Sequence, residues 1–196
     1  MKKIMFLNLI FFAMNSLAQT TINETQWDGE VVPNLYLKDI DNNLDAFVGT
    51  FKSISNDTVF TIKLRKILNS DIGPYNEDLI IGELEYKIGN NFLINTLGDF
   101  NLNFFYQRNH HLAGGSTLDN NEKPTCNNCA LNEKRLRLSI NDNVYVSSFI
   151  LKKTLLNGIE ALLVYKFTQG PFSRHKNDPL EIPIIRDGNF IFIKQP

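Results

Sequence analysis

The chain has 196 residues, and its 20 Lys and Arg residues nearly balance its 21 Asp and Glu residues, for a formal charge of −1. This length fits a single domain behind a short leader. Because the charge is near neutral and no basic stripe occurs, the sequence lacks the electrostatic footprint of a nucleic-acid-binding protein, and we predict no nucleic-acid partner.

Residues 1–18 have the layout of a secretory signal peptide. Two lysines precede an apolar run, and Ser16 and Ala18 supply the small residues that a cleavage site before Gln19 needs. The apolar run of about 11 residues is too short for a membrane anchor, because a spanning helix needs about 20. We therefore expect an exported mature protein, periplasmic or secreted, that carries a charge of 18 − 21 = −3 and does not span a membrane.

Residues 19–43 form a polar lead-in. This segment contains the only tryptophan, Trp27, and its one predicted extended piece is at Val31 and Val32. Regular hydrophobic alternation starts after it. We therefore predict one domain over residues 44–196.

Two alternating runs around Asn56 and Asp57 predict the first hairpin of this domain. Phe51 alternates with polar neighbours before the turn, and Phe60 and Ile62 do so after it. An apolar residue at every second position is typical of a half-buried antiparallel strand. Asn and Asp tolerate the positive φ that a tight two-residue turn requires.

Further strand-like runs follow, separated by turn signals. They are predicted at residues 80–88, 92–97, 102–106, 136–140, 144–151, 159–167, 180–185 and 190–194. Asn157 and Gly158 form a strong hairpin signal between two of these runs. With about eight to ten strands at short intervals, the pattern predicts an all-β domain, either a barrel or a sandwich.

The long segment 107–130 has no predicted strand, so we expect it to be either functional or mobile. It contains the only two cysteines, Cys126 and Cys129. In an exported protein these are expected to form a local disulfide. A redox dithiol is the alternative, but such motifs usually begin a helix in a βαβ unit, whereas these cysteines lie in an Asn-rich loop.

Two adjacent histidines, His110 and His111, lie in the same segment. Together with Cys126 and Cys129 they could complete a tetrahedral zinc site. However, adjacent histidines in an extended segment point apart, and the two glycines that follow fix no geometry. The expectation is a solvated polar loop with no metal and no cofactor.

No catalytic motif is recognised. The chain has no nucleophile elbow, zinc-protease motif, phosphate loop or dinucleotide fingerprint. Glu83 and Glu85 share one face of a predicted strand, where we interpret them as solubilising residues on the outside. We therefore predict that the protein is not an enzyme.

Aromatic and aliphatic residues on the predicted inner faces are the candidates for ligand contact. Such side chains could line a pocket for an apolar ligand or fill a dry core, since eight-stranded barrels range from filled to ligand-holding. The candidate ligand-binding residues are Phe47, Phe51, Phe60, Ile62, Leu84, Tyr86, Tyr165 and Phe167. Leu64 and Leu163 are expected to be buried with them.

The stretch NLYLKDIDNNLDAFVGTFKSISNDTVFTIKLRK resembles the amino-terminal signature of a family of exported Bacteroidota proteins, domain of unknown function 6705. Residues of this chain that match the signature are Tyr36, Lys38, Asp39, Asn43, Leu44, Asp45, Phe47, Val48, Gly49 and Thr50. Phe51 stands where the family usually has Trp. The stretches EDLIIGELEY and LEIPIIRDGNFIFIKQ are similar to the third strand and the closing hairpin of the family. The resemblance implies export and the fold class, and it implies no substrate.

Gly49, Thr50 and Phe51 are also similar to the Gly-x-Trp of lipocalin-like barrels, where the aromatic ring closes the barrel floor. The succession of hairpins behind them fits that likeness. The resemblance implies a single antiparallel lipocalin-like β-barrel, with a β-sandwich as the alternative. It also implies that Phe51 plugs one end of the barrel.

A binding module is the function that the sequence favours. The aromatic inner faces and the missing catalytic motif predict a non-enzymatic exported protein that binds a small apolar ligand or a partner surface. A metal-binding or redox protein built on His110, His111, Cys126 and Cys129 is one alternative. A cell-envelope interaction protein with a filled core is another.

Overall fold

The computed structural model describes residues 19–126, 128–142, 145–171 and 183–196. These residues contain twelve β-strands and no α-helix, which confirms the prediction of an all-β fold. No helix in these ranges is long and apolar enough to cross a membrane. The predicted signal peptide at residues 1–18 and the first half of the predicted strand at 180–185 lie outside the described residues, and residues 183–185 form no strand.

The strands differ widely in length. They are β1 (Thr20–Asn23), β2 (Leu35–Lys38), β3 (Gly49–Ser55), β4 (Thr58–Asp71), β5 (Asn76–Ile88), β6 (Asn91–Asn95), β7 (Leu112–Gly114), β8 (Thr117–Leu118), β9 (Arg135–Asp142), β10 (Tyr145–Leu156), β11 (Ile159–Pro171) and β12 (Gly188–Lys194). Short 3-10 helices lie between some of them, at Glu24–Gln26, Asn43–Phe47, Leu97–Asn101 and Gln107–Asn109.

All twelve strands belong to one sheet. Its order is β1-β2-β5-β4-β3-β12-β11-β10-β9-β7, with β6 added to β5 and β8 added to β9. Because β7 also pairs with β5, the eight strands from β5 to β7 form a circuit of pairings. This circuit is uneven, since β4 and β5 share twelve residue pairs whereas β12 and β3 share two. The molecule is therefore a large sheet and not an evenly closed barrel.

The two predicted tight turns form where the sequence places them. Asn56, between β3 and β4, has a φ of 50°. Asn157 and Gly158, between β10 and β11, have φ values of 53° and 80°. Asn and Gly adopt this left-handed backbone at low cost, and such turns match the twist of the strands that they join.

Two glycines allow β7 and the residue after it to lie between β5 and β9. A Cβ on Gly114 would stand 2.4 Å from the carbonyl oxygen of Arg137, and a Cβ on Gly115 would stand 2.5 Å from that of Asp78. No side chain fits at these distances, so the close approach on both sides depends on glycine.

The inner faces of the strands pack into one hydrophobic core with Phe60 near its centre. The ring centroid of Phe60 lies 5.1 Å from that of Tyr86, 6.0 Å from Phe149, 5.5 Å from Phe190 and 5.0 Å from Phe192. Edge-to-face contacts at these separations stabilise beyond the burial of apolar area.

The 3-10 helix at Asn43–Phe47 packs across β4, β5 and β10 and contributes to the same core. Leu44 and Phe47 are at most 1% exposed, and Phe51 in the following strand is equally buried. Because Phe47, Gly49 and Phe51 occupy alternate positions, the sequence pattern predicts Phe47 in the first strand of the hairpin. The structure places it in the helix instead, because β3 begins only at Gly49.

The face of strand β11 that packs against the core is the opposite of the predicted one. Tyr165 is 40% exposed, and Leu163 and Phe167 are partly exposed, so the prediction that these three are largely buried was wrong. Lys166 lies on the inner face instead and is fully buried, with its Nζ 2.9 Å from Asp187. A lysine in an alternating run suggests the solvent face, but an ion pair allows its burial.

Three other segments differ from the prediction. The lead-in at 19–43 contributes two strands to the sheet, β1 at Thr20–Asn23 and β2 at Leu35–Lys38, whereas Val31 and Val32 form none. Residues 102–106 form no strand, whereas the segment 107–130 contains the short strands β7 and β8. The segment predicted as one long loop therefore completes the circuit of the sheet.

Candidate functional site

Six of the eight candidate ligand-binding residues lie in the packed core. They are Phe47, Phe51, Phe60, Ile62, Leu84 and Tyr86, each at most 8% exposed. They belong to a single hydrophobic cluster that also includes residues of β9, β10 and β12. Because these side chains pack within one cluster, they act first as core residues, which supports the filled-core alternative for the interior.

The two remaining candidates, Tyr165 and Phe167, lie together on the outside of β11. Their rings stack, with centroids 5.7 Å apart and planes inclined by 19°. The structure therefore separates the eight candidates into an interior set of six and an exterior pair.

The exterior pair faces a surface depression that we name the β11 groove. It consists of two adjoining cavities of about 580 and 570 Å³ that share Pro124, Thr125 and Tyr165. One wall is the segment 123–126, and the other is the outer face of β10, β11 and β12. The side chains that form the apolar part of this outer face are Ile150, Leu163, Tyr165, Phe167 and Ile191.

Two arginines of β9 hold the segment 119–126 against the sheet. The buried guanidinium of Arg135 donates to the backbone carbonyl oxygens of Asp119 and Pro124, and that of Arg137 donates to Lys123. Burial lowers the pKa of Arg135, and nearby carboxylates oppose that shift. These contacts fix backbone positions, so the wall of the β11 groove is supported by β9.

Cys126 and Cys129 lie at disulfide distance, with their sulfurs 2.00 Å apart, as predicted. Lys152 of β10 donates to the carbonyl oxygen of Asn128 at 3.0 Å. This bond connects the chain around the two cysteines, which with the wall at 123–126 we name the disulfide segment, to the sheet. A disulfide uses both sulfur atoms. Zinc binding by the cysteines, or a redox dithiol, would therefore require reduction of this bond. Within the described ranges, no group of three or more His, Cys, Asp and Glu side chains is placed to hold a metal ion.

His110 pairs with Glu83 beneath the segment 104–111. The His110 Nδ1 lies 2.7 Å from the Glu83 Oε1, and both side chains are nearly inaccessible to water. The same oxygen accepts the backbone N–H of His111 at 3.4 Å, and the Phe104 ring packs edge-on against His110. The interpretation of Glu83 as a solubilising residue was wrong, because this segment covers the outer face of β5.

A buried polar network contains two residues of the family signature, Tyr36 and Asp39. The carboxylate of Asp78 accepts the Tyr36 hydroxyl at 2.6 Å, the Asp39 N–H at 3.1 Å and the Asn69 N–H at 2.9 Å. Asp39 in turn accepts Lys66 at 2.8 Å. Burial raises the pKa of Tyr36, and its bond to Asp78 raises it further. The network fastens β2 to β4 and β5, and the only sign of it in the sequence is a carboxylate inside an apolar strand.

Comparison with known proteins assigns the chain to a family. No curated protein and no solved structure matches the chain. The family model described as "Family of unknown function (DUF6705)" matches residues 1–195, which is almost the full length. The signature residues and the whole-chain match therefore agree, and the chain belongs to the DUF6705 family of unknown function.

Proposed function

We propose that this protein is an exported, non-enzymatic binding module that takes a small apolar molecule into the β11 groove. The observation that carries the proposal is the stacked pair of Tyr165 and Phe167 on the outside of β11, beside the disulfide segment. The six other candidates are buried in the core. The groove is thus the place where the predicted aromatic contacts meet solvent.

The dimensions and lining of the groove suit such a ligand. Small-molecule sites are concave, span roughly 300–1,000 Å³ and combine apolar walls with a few polar groups. In the β11 groove, Tyr165 and Ile191 are 40% and 51% exposed, and Gln169 and Lys152 supply polar groups nearby. Covering apolar area stabilises a complex by about 25 cal/mol per Å². Two stacked rings favour a flat, apolar molecule, because such a molecule can extend the stack.

Export and a lipocalin-like shape are parts of the same proposal. A disulfide persists in an oxidising compartment, so the pair of Cys126 and Cys129 supports an extracytoplasmic location. The circuit of eight strands supports a comparison with lipocalin-like barrels, although the ligand site that we propose lies outside the circuit.

The proposal is tested with N-phenyl-1-naphthylamine, a neutral apolar probe whose fluorescence rises when it leaves water. We expect saturable binding with one site per chain. Tyr165→Ala should weaken binding about tenfold or more, which corresponds to the ~1.4 kcal/mol or more expected of an aromatic contact residue. The matched control is Phe105→Ala, because Phe105 is 84% exposed and does not line the groove.

Circular dichroism of each variant establishes that it is folded. No saturable binding by the unmodified protein, or equal binding by folded Tyr165→Ala, would overturn the proposal. A native mass of the protein purified from its own host adds a second readout. A retained organic mass supports the binding module, and a bare chain favours the interaction protein with a filled core.

A further inference from the structure

A second depression, which we name the lead-in cleft, lies where the lead-in meets β5 and β7. It has a volume of about 430 Å³, within the range of small-molecule sites. Glu24 and Trp27 line it from the lead-in, Tyr75 from the turn before β5, Glu77 from β5, and Arg108 from the segment before β7. It shares only Arg137 with the lining of the β11 groove.

The two aromatic residues of the lead-in cleft form a half-buried pair. The ring centroids of Trp27 and Tyr75 are 5.1 Å apart, with the planes inclined by 58°. The indole N–H of Trp27 already donates to the carbonyl oxygen of Glu30 at 2.7 Å. Trp27 therefore offers a ligand the apolar surface of its ring and not a hydrogen-bond donor.

The charged groups that line the cleft already have hydrogen-bond partners in the protein: Asp78 accepts the Tyr36 hydroxyl, and Arg137 donates to the carbonyl oxygen of Lys123. Nε and Nη2 of Arg108 lie 2.9 and 2.5 Å from one carboxylate oxygen of Glu77. Burial raises the pKa of Glu77, and Arg108 opposes that shift. Burial also raises the pKa of Glu24, whose carboxylate accepts the Thr117 hydroxyl at 2.7 Å. A charged ligand would therefore meet little unopposed charge of the opposite sign.

Neutral hydrogen-bonding groups complete the lining. Ser116 and Ser139 line the cleft, and a serine hydroxyl both donates and accepts. Carboxylate oxygens accept only, and guanidinium groups donate only. A ligand that bonds to the hydroxyls, the carboxylates and the guanidinium groups therefore needs several groups that can each donate and accept a hydrogen bond.

We propose that the lead-in cleft binds a neutral, hydroxyl-rich molecule of one or two sugar rings. The C–H face of a sugar ring packs on Trp27 and Tyr75, while its hydroxyls bond to the carboxylates, guanidinium groups and serines around them. This site is distinct from the β11 groove in both lining and ligand chemistry. It gives the protein a second ligand of different chemistry.

The single tryptophan makes a direct test available. Because Trp27 is the only Trp in the chain, its fluorescence reports on the lead-in cleft alone. Glucose, N-acetylglucosamine, maltose and cellobiose are titrated against the full chain, with glycine and succinate as charged comparison probes. We expect a saturable change in emission for at least one sugar, with a Kd below about 1 mM.

Variants assign the response to the cleft. Tyr75→Ala should weaken sugar binding about tenfold, or Arg108→Gln should do so if Tyr75→Ala does not fold. Tyr106→Ala, an exposed tyrosine outside the cleft, is the control and should not change it. The binding of N-phenyl-1-naphthylamine should be the same with and without sugar. The inference is overturned if no sugar gives a saturable response, if glycine or succinate binds as tightly, or if the folded cleft variants bind sugar normally.

Discussion

At the scale of single residues, the most consequential side chains are charged groups that lie under a covering segment. Asp78 is 2% exposed and receives hydrogen bonds from Tyr36, Asp39 and Asn69. Two of these donors are backbone N–H groups, which have no freedom to turn towards another acceptor. A buried donor without its acceptor is costly, so the network depends on this one carboxylate.

Asp78→Ala should therefore lower the free energy of unfolding by about 3 kcal/mol or more, since two buried donors and the half-buried Asn69 N–H lose a charged acceptor. Urea denaturation measures the difference. Asp57→Ala is the control, because Asp57 is exposed in the β3–β4 turn, and its effect should stay within about 0.5 kcal/mol. Equal loss in the two variants would contradict the anchoring role of Asp78.

Glu160 provides a pH-dependent contact at the surface. It accepts hydrogen bonds from Lys153 at 2.7 Å and Lys194 at 2.5 Å, and these bonds lower its pKa to about 2. A lowered pKa means that ionised Glu160 stabilises the fold above its usual pKa of 4.5, and that this contribution is lost as the pH falls towards 2.

We expect Glu160→Gln to melt at a lower temperature than the unmodified protein at pH 7. The difference should shrink as the pH falls from about 4.5 to about 2, and it should also shrink in high salt. Glu30→Gln, at an exposed position, serves as the control and should show no such trend. A melting difference that is constant over this pH range would contradict the ion pairs.

The sequence predicts the core positions well where polar and apolar residues alternate, as at Phe60 and Ile62. It fails at Lys166, which faces the core in place of the predicted Tyr165 and Phe167, and at Glu83, which was interpreted as a residue facing solvent. Their partners, Asp187 and His110, are 21 and 27 residues away in the chain, and no local pattern shows that they meet. Without a known partner, a charged residue in a strand is expected at the surface.

At the scale of the elements, the short segments decide where the candidate sites lie. β7 has only three residues, too few for an alternating pattern to be recognised, yet it joins β5 to β9. The disulfide segment has no strand pattern and forms one wall of the β11 groove. The groove could not be predicted from periodicity, because it depends on how irregular segments cover the outer faces of the strands.

The disulfide should matter more for this groove than for overall stability. A bond across so short a ring removes little entropy from the unfolded chain, so Cys126→Ser with Cys129→Ser should cost about 2 kcal/mol or less in unfolding free energy. The same double variant should bind N-phenyl-1-naphthylamine several-fold more weakly, because the wall of the groove loses its local constraint.

Thiol titration of the exported protein should find no free thiol, since the two cysteines are bonded to each other. Asn121→Ser with Asn128→Ser is the control for substitution in the same segment. Unchanged probe binding by the double cysteine variant would show that the disulfide does not support the groove. Free thiols together with bound zinc would restore the metal alternative.

At the scale of the whole molecule, the core and the candidate sites occupy different sides of one sheet. The inner faces form a single hydrophobic cluster, and both depressions lie on outer faces. Phe51 belongs to the inner set. It is 1% exposed, and the Nζ of Lys194 lies 6.0 Å from its ring centre. The interior therefore supplies stability, and the two proposed binding surfaces lie outside it.

Phe51→Ala should accordingly destabilise the fold by roughly 3–5 kcal/mol, the usual range for a buried phenylalanine. Chemical denaturation gives the value, and Phe105→Ala, at 84% exposure, should change stability by no more than about 0.5 kcal/mol. A small effect of Phe51→Ala would contradict its place in the core. The folded Phe51→Ala variant should bind N-phenyl-1-naphthylamine with nearly the affinity of the unmodified protein.

Methyl NMR with N-phenyl-1-naphthylamine distinguishes an apolar ligand bound outside the sheet from one bound in the core. Ile150 and Ile191 line the β11 groove, whereas Ile62 and Leu84 lie in the core. We predict saturable shifts of the Ile150 and Ile191 methyl signals, with those of Ile62 and Leu84 unchanged. Shifts confined to Ile62 and Leu84 would place the ligand in the interior and contradict the account.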